Sequence, residues 1–275
     1  MSKYIEIDSI GSEEIKLYTD YSENQLVHIN EPDVGMFVCE SAEVIGRALD
    51  AGYEPVSFLA EKENLTDSVK ATMDRCDVPI YIAAHDVIKD IPGYGLTRGM
   101  LCLMRRKAPS KVEDVIEGAK TIAILEDVMN PTNIGAIMRS AAALNIDAIL
   151  LTGGCADPLY RRAARVSMGT AFQIPWAYFD KKESWPEDGI NRVKRAGFSI
   201  IATALLDNTL DIRDSVIHNC EKKAIILGTE GTGIKDQTLN ICDYTVKIPM
   251  SHNVDSLNVA AASAVTFWEL TRDLQ

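Results

Sequence analysis

The chain has 275 residues, enough for one large domain or two ordinary ones. Hydrophobic residues make up 47% and charged residues 25%, a globular balance, and no run of about 18 apolar residues offers a transmembrane helix. The net charge of −12 argues against a generic nucleic-acid coat protein, so any nucleic-acid surface must be a local basic patch.

Residues 1–16 are acidic and contain no apolar core, so neither a signal peptide nor a transit peptide is expected and the location reads as cytoplasmic. The six cysteines are scattered, with no C-x-x-C pair. They predict reduced, mostly buried thiols and no structural metal. The charge is uneven: residues 1–110 sum to −8 and the remainder to −4.

In chain order, residues 36–39 read as a strand. Residues 41–51 read as a helix with Val44, Ile45, Ala48 and Leu49 on one face and Gly52 as its stop. A strand at 55–60, a helix around 66–75, a strand at 79–82, a short helix from His85 and a strand at 100–104 complete a small α/β unit. Ala108-Pro109-Ser110-Lys111 breaks the pattern and reads as a linker. Beyond it, strands are predicted at 121–125, 148–151, 174–178, 199–204, 224–227 and 245–248. Helices are predicted at 132–144, 160–168, 187–196, 235–241 and 256–270. Near-continuous apolar strands such as Ala224-Ile-Ile-Leu227 fit a parallel sheet covered on both faces.

Three polar loops follow strands of that second part, where open parallel sheets hold their ligands. The first, Asn130-Pro-Thr-Asn-Ile-Gly-Ala-Ile-Met-Arg139, is either an ordinary helix start capped by Thr132 or Asn133, or an anion site completed by Arg139. The second, Gly228-Thr-Glu-Gly-Thr-Gly233, lacks the dinucleotide and P-loop spacings. It is a tight turn or a close backbone approach to a ligand, and Glu230 within it could pair with a cation or a donor. The third, residues 248–259, runs from a strand through Pro249 to a helix with Ser256 as the expected N-cap. His28, His85 and His218 have no partners at metal spacing, and Asp207 and Asp211 read as solvated. Arg161 and Arg165 share a helix face, solvated or contacting phosphate.

Together and in this order, these stretches resemble the motifs of the SpoU (TrmH-like) class of SPOUT RNA methyltransferases. N-P-x-N-x-G-A-x-x-R stands here as Asn130, Pro131, Asn133, Gly135, Ala136 and Arg139. G-x-E-G-x-G stands as Gly228, Glu230, Gly231 and Gly233. I-P-M…S-L-N-V stands as Ile248, Pro249, Met250, Ser256, Leu257, Asn258 and Val259, and Arg165-Val-Ser-Met-Gly169 also looks like the class. The N-terminal part resembles, through layout, 35–40 and 99–104, the L30e-like RNA-binding domain that often precedes this catalytic domain.

The resemblance implies an α/β fold in two domains. Residues 1–110 would form the L30e-like RNA-binding domain, and residues 111–275 a parallel-sheet domain whose C-terminal segment threads a loop to make a trefoil knot, against the usual rule. It implies a homodimer, S-adenosylmethionine as cofactor, and methylation of a ribose 2′-hydroxyl in RNA. Ribosomal RNA is preferred over transfer RNA because such an N-terminal domain suits a folded internal loop. Gly228, Gly231, Ile248 and Leu257 would hold the cofactor, with Thr203, Leu227 and Met250 lining the same pocket. Arg139 would be central to catalysis, with Asn133, Glu230, Ser256 and Asn258 around it. An Arg resists deprotonation, so orienting a phosphate and stabilising oxyanion charge is the cheaper role than general base. RNA would meet Arg98, Arg105, Arg106 and Lys107, joined by Arg161, Arg162 and Arg165. The competing readings are a catalytically silent RNA-binding module and, against the missing fingerprint, a nicotinamide-dependent dehydrogenase.

Overall fold

The computed structural model describes residues 4–89, 91, 99–180, 182, 184–206, 209–252 and 254–272. The chain forms two compact units. One comprises Met1–Ala108 together with Leu159–Gln173, the other Pro109–Pro158 with Ile174–Gln275.

The first unit holds strands β1 (Tyr4–Ile7), β2 (Met36–Glu40), β3 (Pro55–Glu61), β4 (Ile80–Ala83) and β5 (Met100–Arg105), in spatial order β1-β4-β3-β5-β2. β4 pairs parallel with β1 and β3, while β5 runs antiparallel to β3 and β2. The expected strands are all present here, and β1 is additional. Its side chains are exposed except Ile7, so it carries no alternation to read. Tyr18 is buried and its hydroxyl donates to the Ser57 carbonyl at 2.8 Å, tying the first helical turns to β3. Arg98 lies outside the described residues.

The second unit holds β6 (Thr121–Leu125), β7 (Ala148–Leu151), β8 (Trp176–Tyr178), β9 (Ser199–Thr203), β10 (Leu210–Asp211), β11 (Lys223–Leu227) and β12 (Tyr244–Lys247). Their order is β10-β12-β9-β11-β6-β7-β8, and every pairing is parallel. The central strands are buried along their length, as apolar strands covered on both faces must be. Ile122, Ile124, Leu150, Ile200 and Ile226 form the heart of one core. β8 starts two residues later than predicted. Pro175 has no N–H for a ladder, though its carbonyl accepts from Ile149 at 3.0 Å. β10 is only two residues long and was not predicted; Asp207 lies outside the described residues.

Two helix starts differ from the sequence reading. The helix that follows β6 runs Pro131–Ala143 and is capped by Asn130, not by Thr132 or Asn133. The Asn130 side chain accepts from Thr132 N at 2.9 Å, and Pro131 takes the first helical position, where its missing N–H leaves no bond unmade. The last helix runs Val259–Thr271, and its N-cap is Asn258, not Ser256. The Asn258 side-chain oxygen accepts from the N–H groups of Ala260 and Ala261 at 3.0 and 3.4 Å, leaving Ser256 on the loop before the helix. Thr271 at the far end donates to the Leu144 carbonyl at 2.9 Å, seating this helix against the end of the Pro131–Ala143 helix. No helix among the described residues is long and apolar enough to cross a membrane.

Candidate active site

The carboxyl ends of β6, β11 and β12 deliver the three polar loops to one edge of the sheet. After β11 the chain makes a closed turn in which Gly233 N donates to the Thr229 carbonyl at 3.1 Å. A Cβ on Gly228 would stand 2.4 Å from the Gly233 carbonyl carbon and 2.5 Å from Ile234 N, so only glycine fits. Gly231 and Gly233 have φ of +88° and +69°, a conformation glycine adopts without strain. The glycines are therefore explained first by the turn itself, and the open backbone they leave faces a cavity.

That cavity has a volume of about 660 Å³, within the ~300–1,000 Å³ range of small-molecule sites. All seven residues expected at the cofactor line it: Thr203, Leu227, Gly228, Gly231, Ile248, Met250 and Leu257. Glu230, Ser256 and Asn258 line it too. Leu205, Leu206, Asp236, Leu239 and Asp255 join them, and nothing in the motifs singled these out. Apolar walls with carboxylates at Glu230, Asp236 and Asp255 suit a ligand that is part flat and apolar, part cationic.

Asn258 is the hub of the site. Its side-chain oxygen is spent on the helix cap, so its amide nitrogen is free to donate outward. It donates to Asn133 Oδ1 at 3.3 Å and, over a short contact, to Glu230 Oε1. Three of the five expected catalytic residues are thus tied together from three loops. Asn133 is 6% exposed, so its amide is fixed by burial as well. Ser256 lies on the cavity wall. Arg139 is not brought in. It is exposed on the Pro131–Ala143 helix, six residues past Asn133, so about 9 Å along the axis and ~120° around it. Among the described residues it has no ion-pair or hydrogen-bond partner.

Two acids behind the site were not anticipated. Glu126 is 1% exposed, and its Oε1 accepts from Trp185 Nε1 and Thr238 Oγ1, both at 2.9 Å. Thr238 belongs to the short Asp236–Leu239 helix that supplies two cavity residues. Asp127 accepts from Thr152 Oγ1 at 2.8 Å and pairs with Lys235 Nζ at 2.6 Å. Burial alone would raise the Asp127 carboxyl, but bonds from Lys235, Thr152 and the Gly154 amide outweigh it and hold it below the usual range.

The expected RNA-contacting residues lie in the first unit. Arg105 is exposed at the end of β5. Arg106 donates its backbone N–H to the Gly35 carbonyl, and Lys107 Nζ bonds the Ala51 carbonyl while lying 4.7 Å over the Tyr53 ring. Arg161 and Arg165 both face the carboxylate of Glu40. Three of the four histidines pair with acids: His28 with Glu31 at 2.6 Å, His85 with Glu61 at 2.7 Å and His218 with Glu269 at 3.3 Å.

Comparison with known proteins places this geometry. The profile of the SpoU rRNA methylase family matches residues 120–268. A tRNA/rRNA methyltransferase of Mycobacterium bovis is 37% identical over 238 residues, 86% of this chain and 81% of its own length. The chain belongs to the SpoU rRNA methylase family. As a SpoU-class RNA methyltransferase it is also similar to the 23S rRNA (guanosine-2′-O-)-methyltransferase of Bordetella pertussis. That relative is 31% identical over 168 residues, 60% of this chain and 64% of the relative. In fold it is similar to the AdoMet-bound rRNA methyltransferase of Sinorhizobium meliloti, with a TM-score of 0.80, 22% identity and full coverage of both chains.

Proposed function

We propose that this SpoU-class enzyme transfers a methyl group from S-adenosylmethionine to a ribose 2′-hydroxyl in RNA, with ribosomal RNA as the substrate. The observation that carries the reading is that the cavity gathers all seven expected cofactor residues, with the Asn133–Asn258–Glu230 network joined to its rim. Similarity to a guanosine-2′-O-methyltransferase of 23S rRNA supports the atom and the RNA class.

The chemistry of the lining fits the cofactor. Leu205, Leu227, Ile248 and Leu257 offer apolar walls to an adenosine, while Asp236, Asp255 and Glu230 offer negative charge to an ammonium and a sulfonium. The bound cofactor supplies an electrophilic methyl carbon. The protein's residues must then bring in the ribose and manage its proton, because a neutral hydroxyl is a poor nucleophile. Asn258 holds Glu230 and Asn133 in fixed register, so the rim presents preset polar groups that need not reorganise. Arg139 stands outside the Asn133–Asn258–Glu230 network and takes its role from the family resemblance: exposed and permanently charged, it would meet the phosphate beside the target and the charge on the attacking oxygen only once RNA is bound.

The active form is a homodimer. The Val259–Thr271 helix is apolar nearly all round, yet Ala261, Val265 and Trp268 form one exposed stripe at i, i+4 and i+7. Trp268 is 56% exposed, a large apolar area for a helix face that meets only water. Threading of the C-terminal segment through a loop to form the knot belongs to the same reading, as does an RNA-binding role for the domain at 1–110. Mapping 2′-O-methylation in ribosomal and transfer RNA from a strain lacking the gene tests the proposal. A single site lost from ribosomal RNA is expected; intact ribosomal RNA with a site lost from transfer RNA would reassign the substrate.

A further inference from the structure

Glu126 and Asp127 are consecutive residues just past β6, and each reaches the same short segment at a different point. Glu126 Oε1 accepts from Thr238 Oγ1 at 2.9 Å, with both residues buried, while Asp127 Oδ2 meets Lys235 Nζ at 2.6 Å. Lys235 is the N-cap residue of the Asp236–Leu239 helix, and its carbonyl accepts from the Thr238 and Leu239 N–H groups at 2.9 and 3.0 Å. Residues three apart at a helix start share a face, so two neighbours on one segment hold two neighbours on the other. The buried Glu126–Thr238 bond pins the helix, and the Asp127–Lys235 pair sets its rotation about that pin.

Asp127 is itself firmly held. Its φ of +53° is left-handed, a backbone that costs a non-glycine residue free energy and persists where the surroundings over-determine it. Its N–H donates to Thr152 Oγ1 at 2.9 Å, and that hydroxyl donates back to Asp127 Oδ1 at 2.8 Å. A Cβ on Gly154 would stand 2.3 Å from the same Oδ1, so the carboxylate rests against bare backbone there. Lys235 adds only modestly to stability, because its side chain is 57% exposed and ion pairs in water are weak. The pair is better suited to fixing a distance than to holding the fold together.

The two segments it joins face the reaction from different sides. Gly233, Ile234, Asp236 and Leu239 line the cavity. Asp127 precedes Asn130, the cap of the Pro131–Ala143 helix, whose Asn133 bonds Asn258. We propose that Asp127 and Lys235 are positioning residues for methyl transfer: their ion pair sets the register of the cavity wall at 233–239 against the segment that delivers Asn133. The inference rests on the cavity being the S-adenosylmethionine site of an RNA methyltransferase. Transfer requires the attacking oxygen close to the methyl carbon and in line with it, and a misplacement of about 1 Å costs up to ~10²-fold in rate. The turn at 228–233 is closed by its own bond from Gly233 N to the Thr229 carbonyl, so cofactor affinity survives loss of the pair while the alignment does not.

Single-turnover transfer of labelled methyl from S-adenosylmethionine to ribosomal RNA from a strain lacking the gene tests this, with cofactor and RNA saturating. Lys235→Met is expected to slow transfer about tenfold, with the Kd for S-adenosylmethionine and the KM for RNA within about twofold of wild type. The exposed side chain leaves folding intact, so the melting temperature should fall only slightly. Lys235→Arg keeps the charge beside Asp127 and should recover most of the rate. The double variant Asp127→Asn/Lys235→Met should be no slower than the slower single variant, because both remove the same pair. A normal rate with a raised KM for RNA would make Lys235 an RNA contact and overturn the positioning role. A normal rate with a weakened cofactor Kd, or a Lys235→Arg variant as slow as Lys235→Met, overturns it as well. A wild-type enzyme that moves no methyl to RNA overturns the methyltransferase reading and the positioning role together, whereas normal wild-type transfer with an unchanged Lys235→Met rate overturns the positioning role alone.

Discussion

Asn258 performs two tasks with one side chain, and its substitution separates them. Asn258→Ala removes the helix cap made to Ala260 and Ala261, a loss of about 1 kcal/mol. It also strips the donor from Asn133, whose buried oxygen is then unsatisfied at about 1–3 kcal/mol. Glu230 is exposed and regains water, so it adds little. The total is roughly 2–4 kcal/mol, or about 5–15 °C in melting temperature for a chain of this size. Asn258→Asp keeps the capping oxygen but replaces the donating amide with a carboxylate facing Glu230. It is expected to recover most of the cap while methyl transfer stays lost through like-charge repulsion. Thermal denaturation beside single-turnover transfer reads both effects. An Asn258→Ala variant within ~0.5 kcal/mol of wild type, or an Asn258→Asp variant with normal turnover, would refute the shared-hub account.

Gly228→Ala puts a Cβ 2.4 Å from backbone that has no room to yield, so the turn must open; calorimetry should find S-adenosylmethionine binding abolished, and retained binding would mean the turn does not shape the pocket. Trp268→Asp should convert a dimer to a monomer in analytical ultracentrifugation, and a dimer that survives places the interface elsewhere. The Asp127–Lys235 pair gives a pH signature. Because the folded Asp127 value is depressed, its contribution to stability is present above the unfolded value of about 3.9 and is lost as pH falls through the lower folded value. The raised Lys235 value, set mainly by its bond to Asp127, is present below about 10.4 and lost as pH climbs through the folded value. Denaturant titrations of wild type and Asp127→Asn should therefore converge in acid, and a gap that persists at the lowest pH contradicts the pairing.

Much of the fold was legible because its strands are buried on both faces. Runs such as Ile122–Leu125 and Ala148–Leu151 have no polar positions to confuse the reading. Short or exposed elements were not legible: β1 has one buried residue and β10 has two residues in all. The motif residues pointed to the right loops, yet not to their division of labour. Ser256 and Asn258 are equally good caps by type, and only the path of the chain gives the task to Asn258. Glu40 and Glu126 act through partners far away in sequence, Glu40 with Arg165 being 125 residues apart and Glu126 with Thr238 112. No periodicity connects such pairs, so the sequence offered no signal for them.

The most direct test is single-turnover transfer of labelled methyl from S-adenosylmethionine to ribosomal RNA from a strain lacking the gene, followed by digestion to nucleosides. The account predicts label in one 2′-O-methylnucleoside with the wild-type enzyme, and none with an Arg139→Ala variant that still binds the cofactor. Label on a base, or near-normal transfer by Arg139→Ala, would contradict it.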